Sequence, residues 1–262
     1  MSPSQLVDLQ RAEPLREAVD LLAPRWTTWA LQTIHQRGQM RFTEVSAALP
    51  WLGMQATQQV LRRMHDGGLV DRSPTGYAVT PLGHTALKTQ GALADWHRTH
   101  FSDGPALAEA ERSEDALRRL RGRGAVEVIT ALSEHGPLRR EVLRASTELA
   151  TGSMHYRLQQ LQDDGLVERA GSSQRAPYAL TSAATALDPT VYATLSAVHQ
   201  ASRVSPSAAD RPVAVEPRFA DRANAAVLRT PSTPSAMFSH APTPPTRVPA
   251  YVTQLSHPSR AR

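Results

Sequence analysis

The sequence predicts a mainly α fold with small β-hairpin wings, an α+β arrangement of tandem winged helix-turn-helix units followed by a disordered C-terminal tail. Three observations lead there. The stretch LRRMHDGGLVDR at 61–72 returns as LQQLQDDGLVER at 158–169. In each copy a helical apolar pattern runs into glycine, then a short strand, a loop and Tyr-Ala-apolar-Thr. Half of the chain's 20 prolines fall in residues 203–262 among Ser, Thr and Ala, where no sustained apolar period survives.

The elements of the first copy follow in order. Trp26, Trp29, Ala30 and Ile34 give residues 26–37 one apolar helical face, and Gly38 ends it. Residues 41–49 read as a second short helix, 50–53 as a connector and 54–66 as a third helix. In that third helix Thr57, Val60, Leu61 and Met64 share one face, while Gln55, Gln58, Gln59, Arg62 and Arg63 point elsewhere. Gly67-Gly68 stops the helix, because glycine accepts the left-handed conformation that a Cβ resists. Residues 69–72 and 77–80 read as paired strands, 73–76 as their turn, and Pro81 opens a further helix.

The second copy repeats this order with helices over 124–135, 138–147 and 151–164 and a hairpin over 166–181, and Thr151 or Ser153 is placed to cap its third helix. The offset between copies is 97 residues through Arg72 and Arg169 and 101 at Tyr77 and Tyr178, so the extra residues lie in the wing loop. The expected organisation is a first winged unit over 1–103, a linker over 104–112, a second winged unit over 113–202 and a basic Pro/Ala/Ser-rich tail over 203–262. Within the tail, residues 219–228 are long enough only for a transient helix.

Asp-Leu-Leu-x-x-Arg-Trp at 20–26, Arg41-Phe42, Thr80-Pro81-Leu82-Gly83, and Trp96 with His100 follow one another along the first copy. By these marks residues 13–101 resemble the HxlR branch of the MarR-like winged-helix regulators. The resemblance implies a dimeric bacterial transcription regulator that binds promoters. Many such proteins carry a cysteine immediately before the proline that is Pro14 here; this chain has Glu13 there and no cysteine at all, so thiol-based sensing is chemically excluded. They are also usually single-unit chains, whereas this one carries a second, diverged copy.

Composition narrows the rest. The net charge of +5 belongs to the tail, where eight arginines face Asp210, Glu216 and Asp221; residues 1–202 are formally neutral. A DNA-binding role for the body therefore rests on local placement of charge, and the tail's excess suits nonspecific attraction to DNA or to an acidic partner as well as a plain solvated linker. No apolar run approaches the ~20 residues that span a bilayer, and no secretory leader is visible. The expected location is the cytoplasm, in association with the nucleoid. Lys88 is the only lysine in an arginine- and alanine-rich chain, the codon bias of a GC-rich bacterial genome.

The expected partner is double-stranded DNA. An α-helix fits the major groove, where Gln pairs with adenine and Arg with guanine, so Gln55, Gln58, Gln59 and Arg62 are the base-contact candidates. Arg63, Arg72, Ser73 and Thr75 are the phosphate contacts. The second copy offers a different set: Ser153, His155, Tyr156, Arg157 and Gln160, with Arg169 and Arg175 on its wing. Either both copies touch DNA, or the second has lost contact and serves as a built-in dimerisation partner.

The terminal helices over 82–101 and 188–202 would pack together in an intramolecular pseudo-dimer; the alternative is a homodimer through the first copy, with the second outside. Leu82, Leu87, Leu93 and Trp96 are buried under either scheme. No small-molecule effector is legible, although a cleft lined by Trp26, Trp29 and Trp96 is one place for it. No cofactor is expected, and no metal: His97 and His100 form the one close helical histidine pair, without a carboxylate or cysteine set beside it in sequence. No phosphate-cradling glycine loop or nucleophile elbow is present, so the chain is not expected to be an enzyme. The rival to DNA binding is a winged-helix protein-docking scaffold, whose third helix would display apolar residues rather than Gln and Arg.

Overall fold

The computed structural model describes residues 3–101, 107–147, 149–173, 175–187 and 190–204, with side chains from residue 12 onward. The expected tail lies outside the described residues apart from Arg203 and Val204, as does the transient helix over 219–228.

The first half runs α1 (Pro3–Leu22), α2 (Thr27–Arg37), α3 (Phe42–Ala48), one 3₁₀ turn (Pro50–Leu52), α4 (Gly53–Asp66), β1 (Val70–Ser73), β2 (Gly76–Val79) and α5 (Pro81–His100). Gly68, at φ 75°, turns the chain out of α4; the amide of Leu69 then donates to the Met64 carbonyl and closes the helix end. Thr80 caps α5 by accepting from the Gly83 amide, with Pro81 in the first turn, while its hydroxyl donates back to the Gly68 carbonyl at 2.6 Å. The hairpin is antiparallel with Arg72 opposite Tyr77, and Met40 joins as a third partner through two backbone bonds to Tyr77.

The second half runs α6 (Glu109–Leu120), α7 (Ala125–His135), α8 (Arg140–Thr147), α9 (Thr151–Asp163), β3 (Val167–Arg169), β4 (Tyr178–Leu180), α10 (Ser182–Thr185) and α11 (Thr190–Val204). Its local bonding repeats that of the first. Gly165 is left-handed after α9, the Leu166 amide donates to the Leu161 carbonyl, Thr181 caps α10 and donates to the Gly165 carbonyl, and Leu138 bonds Tyr178 as Met40 bonds Tyr77. Arg169 lies opposite Tyr178 in the same register as Arg72 and Tyr77.

Several expectations change. No element is expected before residue 26, yet α1 fills that stretch, with Ala12, Leu15, Ala18, Val19 and Leu22 buried at helical spacing. The expected linker contains the start of α6, which the Glu111 carboxylate secures by accepting from the Ala108 amide. Neither Thr151 nor Ser153 caps α9: its N-cap is Ala150, with no side-chain bond. The single terminal helix expected over 188–202 is preceded by the short α10, and α11 carries on to Val204. Leu87 is only partly buried, whereas Leu82, Leu93 and Trp96 are buried.

One continuous apolar core joins the two halves. α5 packs along α6 and α11, and α1 packs on α11 and α7. Polar contacts follow the same seams. The Trp96 indole donates to the Ala183 carbonyl at 2.8 Å, the Thr89 hydroxyl to the Thr194 carbonyl, and the Ser113 hydroxyl to the Gln90 carbonyl. His97 Nε2 bonds Asp115 across α5 and α6 at 2.9 Å; at the corresponding seam His199 Nδ1 stands 3.0 Å from Glu17, close enough for an ion pair but not aligned as a hydrogen bond. Arg16 reaches Glu127 between α1 and α7, and Gln32 reaches Glu109 between α2 and α6.

Candidate nucleic-acid interface

The outward face of α4 is built by the burial of its other side. Thr57, Val60, Leu61 and Met64 are buried, and Thr57 bonds its hydroxyl to the Gly53 carbonyl, so Gln55, Gln58, Gln59, Arg62 and Arg63 are all exposed. The turn before α4 is anchored by tryptophan. Trp51 lies 5.4 Å from Trp29 edge-on and 6.5 Å from Trp26, which holds α3 and α4 against α2. Trp26 is the sole non-glycine among the described residues at positive φ, 74°, and Gly124 occupies the matching position before α7 at φ 84°. Of the three tryptophans expected to line a cleft, Trp26 and Trp29 meet at Trp51 and Trp96 makes its ring contacts elsewhere. Trp96 packs on Phe101 and His100 at the far end of α5.

The base-contact candidates and the phosphate candidates behave differently. Arg62 is open to solvent, with only a loose 3.7 Å pairing to Asp66 one turn on. Arg63 turns back and donates to the Arg25 carbonyl at 3.1 Å, tying α4 to the loop before α2. On the wing, the Gln39 amide donates to both the Ser73 and Thr75 hydroxyls at 2.7 Å, and these hydroxyls are 2.8 Å apart. Ser73 and Thr75 therefore hold the wing turn, and Arg72 is the exposed cation beside it. Gln39 escapes a reading by periodicity because it lies outside every regular element.

In the second half, Ser153, His155 and Tyr156 stand exposed on α9, with Tyr156 68% accessible. Arg157 does not join them. Its guanidinium donates to the Arg123 carbonyl at 2.9 Å and to the Gln160 amide oxygen at 2.8 Å, so both side chains are engaged within the fold. Arg169 stacks over Tyr178 and donates to its hydroxyl, and Arg175 is exposed in the wing loop.

Behind α9 lies a charged knot. Asp115 accepts from His97, Arg118 and Arg119; Arg118 also reaches the Asp164 carboxylate and Arg119 the Asp164 carbonyl, where α9 ends. Burial alone raises the Asp115 pKa, but the hydrogen bonds from His97, Arg118 and Arg119 and the Arg119 charge outweigh it and hold the carboxyl well below its ordinary range. His97 is thus spent on Asp115. Among the described residues no group of three or more His, Asp or Glu is placed to hold a metal, and no helix is long and apolar enough to cross a membrane.

Residues 21–104 match a family model described as HxlR-like helix-turn-helix. The match takes in α2 through α5 and covers about a third of the chain, leaving the second half unmatched. No curated protein and no solved structure matches the chain.

Proposed function

We propose that this chain is a sequence-specific, double-stranded-DNA-binding transcription regulator built from two winged helix-turn-helix units, residues 1–103 and 113–202, with 203–262 as a basic tail. The observation that carries it is the exposed face of α4. Gln55, Gln58, Gln59 and Arg62 stand together on the third helix of an HxlR-like helix-turn-helix segment, and Gln and Arg are the side chains that make paired hydrogen bonds to adenine and guanine edges. α4 enters the major groove, and Arg72 on the wing meets the phosphate backbone.

The second unit supports the geometry. Its hairpin register, left-handed glycine and threonine cap repeat those of the first, and α5 lies along α11 as two terminal helices do in a dimer. This favours an intramolecular pseudo-dimer over a homodimer. Protein docking gains one observation, the exposed Tyr156 on α9 and Val142 on α8, and none on α4 beyond Met54.

The test is selection of bound fragments from genomic DNA with the full chain, followed by titration of the selected site. Arg62→Ala is expected to lose about 1–3 kcal/mol on the selected site and to relax the preference at one base pair. An equal loss on all sequences would make Arg62 a phosphate contact, and no enrichment at all would leave the docking reading.

A further inference from the structure

The two units carry their positive charge on different helices. The left-handed Gly38 and Gly136, and the pairing of Met40 and Leu138 to the wing tyrosines, align α3 with α8 at an offset of 98 residues. On that alignment Arg41 matches Arg139, Phe42 is replaced by Arg140, Glu44 by Val142 and Ser46 by Arg144, while the buried Val45 becomes the buried Leu143. On the third helices the change runs the other way. Arg62 and Arg63 of α4 are replaced by Gln159 and Gln160 of α9.

Those two glutamines are occupied. Gln159 donates to Asp163 at 2.9 Å and Gln160 accepts from Arg157, which is itself bound to the Arg123 carbonyl. The outward face of α9 therefore presents no unengaged arginine. Arg139, Arg140 and Arg144 are all exposed on or beside α8, and among the described residues only Arg140 has an acidic neighbour, Glu141 at a loose 3.7 Å. The backbone pairing of Leu138 with Tyr178 sets the start of α8 against the root of the wing that carries Arg169.

We infer that Arg139, Arg140 and Arg144 form a phosphate-backbone anchor, and that the second unit grips DNA with little sequence preference while α4 of the first unit reads the bases. This rests on the DNA-binding reading above and deepens it: the site bound is asymmetric, one half read and one half held. The chemistry fits the division. Guanidinium groups on the helix that precedes the recognition helix meet phosphates, which are the same at every base pair, whereas groove contacts discriminate.

The experiment compares the full chain with Arg140→Ala/Arg144→Ala and with Arg62→Ala on the selected duplex and on a random duplex of equal length, over a series of salt concentrations. The double variant is expected to lose roughly tenfold on both duplexes alike, with the slope of log K against log salt smaller by about two. Its thermal melt should match the parent's, since both side chains are exposed. Arg62→Ala is expected to lose mainly on the selected duplex. Unchanged affinity and slope in the double variant, beside a loss in Arg62→Ala, overturns the anchor and leaves the DNA-binding reading intact. A loss confined to the selected duplex overturns it too, because α8 would then read bases. If the parent binds neither duplex, both inferences fall.

Discussion

Asp115 gathers three side-chain partners: His97 from α5 and Arg118 and Arg119 from its own helix. Because its folded pKa is depressed, its stabilising effect is full above the ordinary carboxylate value of about 4 and is lost as pH falls below it toward the folded pKa. Acid unfolding followed by circular dichroism should therefore show stability falling from about pH 4 downward, and Asp115→Asn should flatten that fall. At neutral pH the same substitution is expected to cost about 3 kcal/mol, since it leaves the partly buried Arg119 short of its countercharge; a shift below about 0.5 kcal/mol would show that the Asp164 contacts hold the knot alone. The exposed residues of α4 were legible from spacing, because burial of Val60, Leu61 and Met64 forces Gln58, Gln59 and Arg62 outward. The engagement of Arg157 was not, because its acceptor at Arg123 lies 34 residues away in sequence.

The wings and the helices α1 and α6 show which elements a sequence discloses. Both hairpins were legible, since alternation, a left-handed glycine and a following threonine are local signals, and Gly68 and Gly165 take the same conformation. What stiffens the first wing was not. Gln39 bridges Ser73 and Thr75 from a segment that precedes α3. Gln39→Ala is expected to change global stability by less than about 1 kcal/mol, as these bonds are exposed, yet to speed amide exchange across residues 70–79 and weaken DNA binding; unaltered exchange would mean that the turn is rigid without the bridge. α6 escaped because its apolar residues are few, and α1 because it contains Pro14, a residue that ordinarily interrupts a helix. Their stability comes from packing on α7 and α11 in one case and α5 in the other.

Over the described residues, up to Val204, the helices of each half pack on those of the other. α5 lies on α11, α1 on α7, α6 on α2, and the pairs His97–Asp115 and His199–Glu17 occupy matching seams. A homodimer through α5 would need the surface that α11 and α6 already occupy. The full chain is therefore expected to scatter light as a single chain of 28.5 kDa at micromolar concentration, and a stable two-chain mass would sink the pseudo-dimer. The apolar contacts at these seams are buried and shared by both halves, so unfolding should be a single transition rather than two.

The sequence alone determined the repeat, the order of helices and hairpin in each copy and the polar face of α4, because periodicity, glycine conformation and helix capping act over a few residues. Tertiary structure decided which helix covers which, that α1 and α6 exist as packing partners, and which arginines are engaged. Those outcomes depend on groups brought together from opposite halves of the chain, where Arg16 meets Glu127 and Trp96 meets Ala183, and no local pattern specifies a partner that far away.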